Sequence, residues 1–190
     1  MAYNPRDFYF KKAKEKNFAA RSIFKLEEID QRFKILKTGQ KVLDLGCAPG
    51  SWSQYASMRV GAQGKVVGLD LKKPTFYLPN VQFIEGDVFL DSIFLDLASF
   101  DIVLSDMAPK TTGVRVVDQE RSFELSYRAF EIAKLKLKPS GRFIVKLFHS
   151  SYFEKFLREL RQTFKKVEVL RPQSTRRTSV EIYLIGLNKY

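Results

Sequence analysis

The chain has 190 residues, 45% of them hydrophobic, which suits one folded domain with a sizeable core and excludes a disordered chain. No apolar run is long enough to cross a bilayer, and the N-terminal MAYNPRDFYFKK lacks the apolar stretch of a secretory leader. Cys47 is the only cysteine and His149 the only histidine, so an intrachain disulfide is excluded, a zinc site of the usual kind is not expected, and a reducing cytoplasm is the expected compartment.

The net charge of +12 is unevenly spread. Residues 1–41 carry 11 Lys and Arg against 5 Asp and Glu, residues 42–133 carry 8 against 12, and residues 134–190 carry 14 against 4. Two basic ends around an acidic middle suit a polyanionic partner such as RNA.

Taken in chain order, residues 1–16 are basic and aromatic and are expected to be a loosely ordered segment of a single 1–190 domain. Asn17 to Phe33 reads as a helix with apolar Ile23, Phe24, Leu26, Ile29 and Phe33. KVLDLG (41–46) reads as a buried strand, followed by the turn DLGCAPGSW and a helix that starts near Trp52. KVVGLD (65–70), VQFIEGD (81–87) and FDIVLSD (100–106) are further strands. A long helix is predicted from about Asp118 to Leu137, a strand at GRFIVKLF (141–148), and a helix from about Ser151 to Phe164. Strands alternating with helices imply a parallel sheet. The end breaks the rhythm: KVEVLRP (166–172), the basic loop QSTRRTS, and VEIYLIGL (180–187) read as an antiparallel hairpin.

The glycine turn directly follows a strand and opens a helix. Gly46 and Gly50 let the backbone approach a ligand. Asp70 ends the second strand, where nucleotide-binding α/β folds place the acid that holds a ribose hydroxyl pair. Asp87 ends the third strand, placed to accept a hydrogen bond from an adenine amino group. The glycine spacing is not that of a dinucleotide turn, no basic residue lies in it, and Asp44 and Asp106 end neighbouring strands. These features disfavour a nicotinamide-dependent reductase and favour a positively charged cofactor, S-adenosylmethionine. Trp52 either closes one wall of the cofactor pocket or caps the core. Cys47 reads as a small buried hydrophobe, and His149 as a local hydrogen-bonding residue.

Four polar residues end or interrupt hydrophobic segments: Lys25 in IFKLEEI, Asp106 in VLSDMAP, Lys146 in FIVKLF and Glu181 in SVEIYL. A lysine inside an apolar strand is costly to bury unless it is paired, so it points to a use. With the glycine turn, these residues indicate an enzyme that binds a nucleoside cofactor and acts on a nucleic acid.

In FKLEEI, DLGCAPGSWSQY, SDMAP, FIVKLF and SVEIYL the chain resembles the FtsJ ribosomal RNA ribose 2′-O-methyltransferases. The resemblance implies an α/β, Rossmann-like class I methyltransferase fold. It has a seven-stranded, mostly parallel sheet that ends in a reversed hairpin, with helices on both faces. It also implies S-adenosylmethionine as cofactor, with contacts from Gly50, Trp52, Asp70, Asp87 and Asp106. Lys25, Asp106, Lys146 and Glu181 would fill the family's Lys-Asp-Lys-Glu tetrad. Ser51 departs from the bacterial pattern, which has a second glycine there. The expected substrate is a uridine ribose in large-subunit ribosomal RNA. Transfer RNA, or RNA binding without catalysis, are the alternatives.

On this reading Lys146 is the candidate base for the ribose hydroxyl, or an electrostatic orienter if it stays charged. Lys25 is the second cation, Asp106 orients Lys146, and Glu181 holds Lys25 or the ribose. Lys146→Ala is expected to abolish transfer and leave melting nearly unchanged. RNA would be gripped by Arg6, Lys11, Lys12, Lys14, Lys16 and Arg21, and by Arg171, Arg176 and Arg177. Tyr3, Phe8, Tyr9 and Phe10 would stack on bases or pack the N-terminus onto the body. A monomer is expected.

Overall fold

Apolar residues facing both ways along short strands are what fix this architecture. In the computed structural model, which describes residues 8–190, the central strands bury both faces. The elements run α1 (Phe8–Glu15), α2 (Ile23–Phe33), β1 (Lys41–Leu45), α3 (Ser51–Val60), β2 (Lys65–Asp70), β3 (Val81–Glu85), α4 (Ser92–Leu95), β4 (Phe100–Ser105), α5 (Arg115–Lys136), β5 (Leu137–Phe148), α6 (Phe153–Thr163), β6 (Phe164–Leu170) and β7 (Glu181–Lys189). Tyr3 and Arg6, expected to face RNA, lie outside the described residues.

The seven strands form one sheet in the order β3-β2-β1-β4-β5-β7-β6. The first five are mutually parallel, and β7 runs antiparallel to both β5 and β6. The predicted hairpin is therefore present, with β7 inserted between β5 and β6. Alternate residues feed two cores. Val42, Val66, Ile102, Leu104, Ile144, Tyr183 and Ile185 face α1, α2 and α3. Leu43, Val67, Val103, Phe143, Val145 and Leu184 face α4, α5 and α6. This two-step alternation assigns the functional side chains to a face as well. Asp44 follows Val42 by two positions, Asp106 follows Leu104, Lys146 follows Ile144, and Glu181 precedes Tyr183. All four fall on the α2–α3 face at the carboxyl edge of the parallel strands, where open α/β sheets bind ligands.

Four elements differ from expectation. Residues 8–15, expected to be loosely ordered, form α1, with Ala13 buried against α2. The Asn17–Phe33 helix is interrupted. Asn17 takes a left-handed conformation (φ 57°), which asparagine tolerates, and Phe18 N–H closes α1 onto the Ala13 carbonyl at 2.9 Å, so α2 starts only at Ile23. β5 begins at Leu137 and meets β4 across a register shift between Phe100 and Ile102, with Ser140 at φ 62° in the irregular stretch. The single turn of α4 carries no periodic signal and was not expected.

Candidate active site

The glycine turn after β1 is held from the neighbouring strand. Gly46 N–H donates to the Leu69 carbonyl at 2.8 Å, and Ala48 N–H donates to Asp70 Oδ2 at 2.9 Å. Asp70 thus braces the turn with one carboxylate oxygen while it lines the adjoining cleft. Gly46 has φ 73°, and a β-carbon there would lie 2.3 Å from Met107 Cγ. Gly50 has φ 111°, and a β-carbon there would lie 2.4 Å from Phe76 Cζ. Both positions require glycine on conformation and on space. Gly46→Ala is expected to lower the melting temperature by a few degrees, since a left-handed non-glycine residue costs about 1–3 kcal/mol. It is also expected to weaken cofactor binding about tenfold, read by calorimetry; unchanged values in both would mean that the turn has no shape requirement.

The cleft has a volume of about 430 Å³ and is lined by Gly46, Asp70, Asp87 and Asp106 together with apolar Leu71, Val88, Phe89 and Met107. Among the described residues, no Lys or Arg lines it. Four of the six residues expected to hold the cofactor thus face one cavity. Gly50 is not part of that lining; it is the residue before α3, under Phe76 and Pro74. Pro49 precedes the helix. The Trp52 ring belongs to the α2–α3 core, 2% exposed, with its indole N–H donating to the Ser22 carbonyl at 2.9 Å. The side chain of Trp52 therefore caps the core and does not line the cleft, because its only polar atom is drawn toward α2. Ser51, the departure from the bacterial pattern, is 2% exposed and its hydroxyl meets that of Ser22 at 2.9 Å. The added hydroxymethyl group is accommodated by a partner just before α2.

Asp44, deeper in the sheet, is fully buried. Its Oδ2 accepts from Ser53 Oγ at 2.6 Å, and its Oδ1 has no partner among the described residues. Burial, aided by the negative charges of Asp106 and Asp70, pushes its carboxyl up to about 7 against the opposing Ser53 bond. A buried carboxylate oxygen without a donor, beside acids that line a cleft without cations, fits a ligand that brings positive charge. The ammonium and sulfonium of S-adenosylmethionine meet that requirement, its ribose and adenine fit Asp70 and Asp87, and Gly46 brings the main chain to the cleft wall without a side chain.

The tetrad residues converge beside this cleft as two linked ion pairs. Lys146 Nζ, on a residue 6% exposed, lies 3.0 Å from Asp106 Oδ1 and also donates to the Asp106 main-chain carbonyl. Lys25 Nζ, from α2, lies 2.5 Å from Glu181 Oε1. Burial pushes the Asp106 carboxyl up, but Lys146, Lys25 and a hydrogen bond from Tyr183 outweigh it and hold it below the usual carboxylate value. Asp106 is common to both features: it lines the cleft and pairs with Lys146.

Tyr183 links the two pairs, a residue that sequence reasoning missed. Its hydroxyl donates to Asp106 Oδ1 at 2.7 Å, and its ring centroid lies 5.8 Å from Lys25 Nζ. Burial, with the charges of Asp106 and Glu181, raises its phenol well above the ordinary value, so it stays a donor. The available signal was its position two residues after Glu181, on the same face of β7, and opposite Lys146 in the register.

Cys47 is buried as expected, and burial pushes its thiol up. His149 stacks on Phe153 at 5.2 Å between centroids. Tyr9 packs toward Phe24 at 5.5 Å, while Phe8 is exposed. Arg171, expected to grip RNA, instead sends Nη2 to the carbonyls of Arg176, Arg177 and Ser179 at 3.3, 3.2 and 2.9 Å. Those carbonyls turn inward around it, so it shapes the β6–β7 loop. Arg171→Ala is expected to raise protease cleavage in residues 171–179 severalfold without changing cofactor affinity; an unchanged cleavage rate would show that the loop holds itself.

Comparison with known proteins bears on the same residues. The family model described as FtsJ-like methyltransferase matches residues 18–189. A relative from Bdellovibrio bacteriovorus, named ribosomal RNA large subunit methyltransferase E, is 56% identical over 100% of this chain and 100% of its own length. A solved structure from Plasmodium falciparum, presented as a candidate ribosomal RNA methyltransferase, is similar at TM-score 0.78 and 30% identity over 90% of this chain and 98% of that one. Aeropyrum pernix fibrillarin, crystallised with natively bound S-adenosylmethionine, shares the fold at TM-score 0.58 and 15% identity over 80% of this chain and 68% of that one.

Proposed function

The chain belongs to the FtsJ-like methyltransferase family, and on that premise we propose that Lys25, Asp106, Lys146 and Glu181 are the catalytic tetrad of its reaction. It is an S-adenosylmethionine-dependent methyltransferase of large-subunit ribosomal RNA, acting on a ribose 2′-oxygen. The finer assignment is a uridine ribose, modified in the cytoplasm by a monomer. Among the described residues no helix is long and apolar enough to cross a membrane.

The observation that carries the tetrad assignment is the double duty of Asp106, which ties Lys146 to the wall of the cofactor cleft. S-adenosylmethionine, when bound, supplies an electrophilic methyl group on a positively charged sulfur. Asp87 would accept from the adenine amino group and Asp70 from the ribose hydroxyls. The start of α3 at Ser51 and Trp52 would offer main-chain N–H groups to the carboxylate. Trp52 would then meet the cofactor through its main chain rather than its ring. Asp44 and Asp106 would take the positive end.

On the acceptor side, Lys146 has three hydrogen-bonding directions on its nitrogen. Asp106 holds it through the carboxylate and the main-chain carbonyl, which aims the remaining direction at the ribose 2′-hydroxyl. There the neutral amine would fix the oxygen and take up its proton through the nitrogen lone pair, whereas the ammonium would only orient the oxygen. Lys25, anchored by Glu181, supplies a second positive charge that steadies the developing alkoxide. Tyr183 keeps Asp106 from turning away from Lys146.

The experiment is transfer of a radiolabelled methyl group to large ribosomal subunits, naked ribosomal RNA and transfer RNA, with the modified nucleotide mapped. Label on one ribose of large-subunit RNA is expected. Label confined to transfer RNA would replace the substrate, and label on a base would overturn the ribose chemistry.

A further inference from the structure

The strands that carry Lys146 and Glu181 close their pairing at one exposed ring. The last paired residues of β5 and β7 are Phe148 and Glu181. Beyond them the N–H of His149 donates to the Val180 carbonyl at 3.1 Å. His149 therefore stands on the carboxyl rim of the sheet, three residues after Lys146, or about 10 Å along the strand. Its side chain turns toward α6, where the imidazole stacks on Phe153 with 5.2 Å between centroids and 22° between planes.

The sequence suggested a local hydrogen bond for His149, and the structure gives such bonds to its main chain only. The N–H is held by Val180, and the carbonyl accepts from Gln119 Nε2 at 2.6 Å. The imidazole makes no hydrogen bond among the described residues; Phe153 supports one face, and the residue is exposed. The support is itself anchored. Phe153 packs against the core, and the adjoining Tyr152 ring stacks on Phe123 at 4.6 Å and 14°. A ring fixed on one face and exposed on the other is a stacking surface formed before binding, so little side-chain freedom is lost when it is used. A cation lies nearby for a polyanion. Arg115 is exposed and sits one helical turn before Gln119, on the same face of α5. The carboxylate of Asp118, on the same helix, is already engaged by Thr112 and Gly113.

We propose that the His149 ring is a stacking platform for the base of an RNA nucleotide flanking the methylated one. The occupant follows from the reaction. In a stacked strand a 2′-hydroxyl lies between neighbouring nucleotides, and laying it against Lys146 breaks the stack on at least one side. An aromatic ring at the rim restores the lost contact, and stacking on such rings is how unpaired RNA is held. The base of the methylated nucleotide is joined to the carbon next to the reacting one, so it stays beside Lys146. The platform, further along β5, falls to a neighbour. It holds the strand without choosing the target base, because every base has a face to stack. The proposal rests on the ribose-methylation reading above.

The test removes and then restores the ring. His149→Ala is expected to raise KM for large ribosomal subunits about tenfold, within the range of one lost base stack, with kcat and cofactor affinity nearly unchanged. His149 is exposed, so its removal spares the fold. His149→Phe is expected to recover the KM, because it returns an aromatic face without the ring nitrogens. A wild-type KM in the Ala variant, or a loss that Phe does not recover, would overturn the platform. The contact is read directly with a short single-stranded RNA spanning the mapped target. It carries the fluorescent base 2-aminopurine before, at or after the target, and stacking quenches its emission. Quenching at one flanking position by wild type and the Phe variant, but not by the Ala variant, is expected. Equal signals from wild type and Ala at both flanking positions sink the proposal, and a difference confined to the target position overturns the choice of a neighbour. If wild-type protein methylates no RNA, the functional reading fails instead. An oligouridylate with one 2-aminopurine then still decides the platform, since equal quenching by wild type and Ala sinks it.

Discussion

Lys146→Ala is expected to reduce methyl transfer by about 10²- to 10⁴-fold, the range of a lost proton-transfer group, with cofactor affinity changed far less. The reason lies in the proposed role: Asp106, in the cleft wall, holds Lys146, so its loss would remove alignment of the 2′-oxygen and a destination for its proton. The structure alters one expectation from sequence, that melting would be unaffected. Removing one partner of a buried pair costs about 3–5 kcal/mol when the other is stranded. Here Tyr183 and Lys25 still attend Asp106, so a smaller loss of stability, read as a fall of several degrees in melting temperature, is expected. Lys146→Arg separates the two roles, because a guanidinium keeps the charge but does not accept a proton at neutral pH. An Arg variant with a tenth or more of wild-type turnover would remove Lys146 as proton acceptor and leave it as an orienting cation. A wild-type level of transfer by the Ala variant would remove it from the mechanism altogether.

Asp44→Asn is expected to stabilise the cofactor-free protein at pH 8 and to weaken cofactor binding at least tenfold. The Asp44 carboxyl is raised from 3.8 to about 7 in the folded state. Between those values the unfolded chain has released the proton while the folded chain still holds it. Folding stability from this group therefore falls as pH rises from about 4 to 7, and it is lowest above 7. The shift corresponds to a penalty on the order of 4 kcal/mol at alkaline pH. Asparagine removes the charge and can still accept from Ser53. Its amide would place an unpaired donor where Oδ1 sits, which returns about 1–3 kcal/mol. The net gain is a rise of a few degrees at pH 8 that vanishes near pH 4. The same substitution removes the charge that meets the cofactor's positive end. Wild-type affinity should itself decline as pH falls below 7, with proton release on binding visible in buffers of different ionisation enthalpy. Unchanged affinity in the Asn variant would detach Asp44 from the cofactor site.

Much of this architecture is legible in the chain because its strands are short, apolar and punctuated by acids and glycines. The tetrad is legible for a related reason. A charged residue at the end of an apolar strand has few structural explanations, and Lys146 in FIVKLF has none better than a partnered site. What escaped reading depends on contacts between distant segments. The sequence left Trp52 between the cofactor wall and the core, and its indole is claimed by the Ser22 carbonyl, a bond that only the packing of α2 on α3 creates. Arg171 looked like its basic neighbours, yet the loop's carbonyls converge on it. Tyr183 drew no reading at all, because only the bond of its hydroxyl to Asp106 sets it apart from its neighbours in β7. α1 and the break at Asn17 were hidden because the basic, aromatic composition of residues 8–16 gives no clear periodic stripe.

The place of β7 within the sheet divides the enzyme's two tasks unequally. β6 touches the sheet only through β7, so the pair must join β5 as a unit. Glu181, Tyr183 and the loop that carries Arg176 arrive with it. The donor half, between β1 and β4, is assembled from residues already paired without them. A molecule that has transiently peeled off its last two strands would still retain a place for the methyl donor, yet offer no grip to the sugar, and the reactive methyl would wait there without an acceptor.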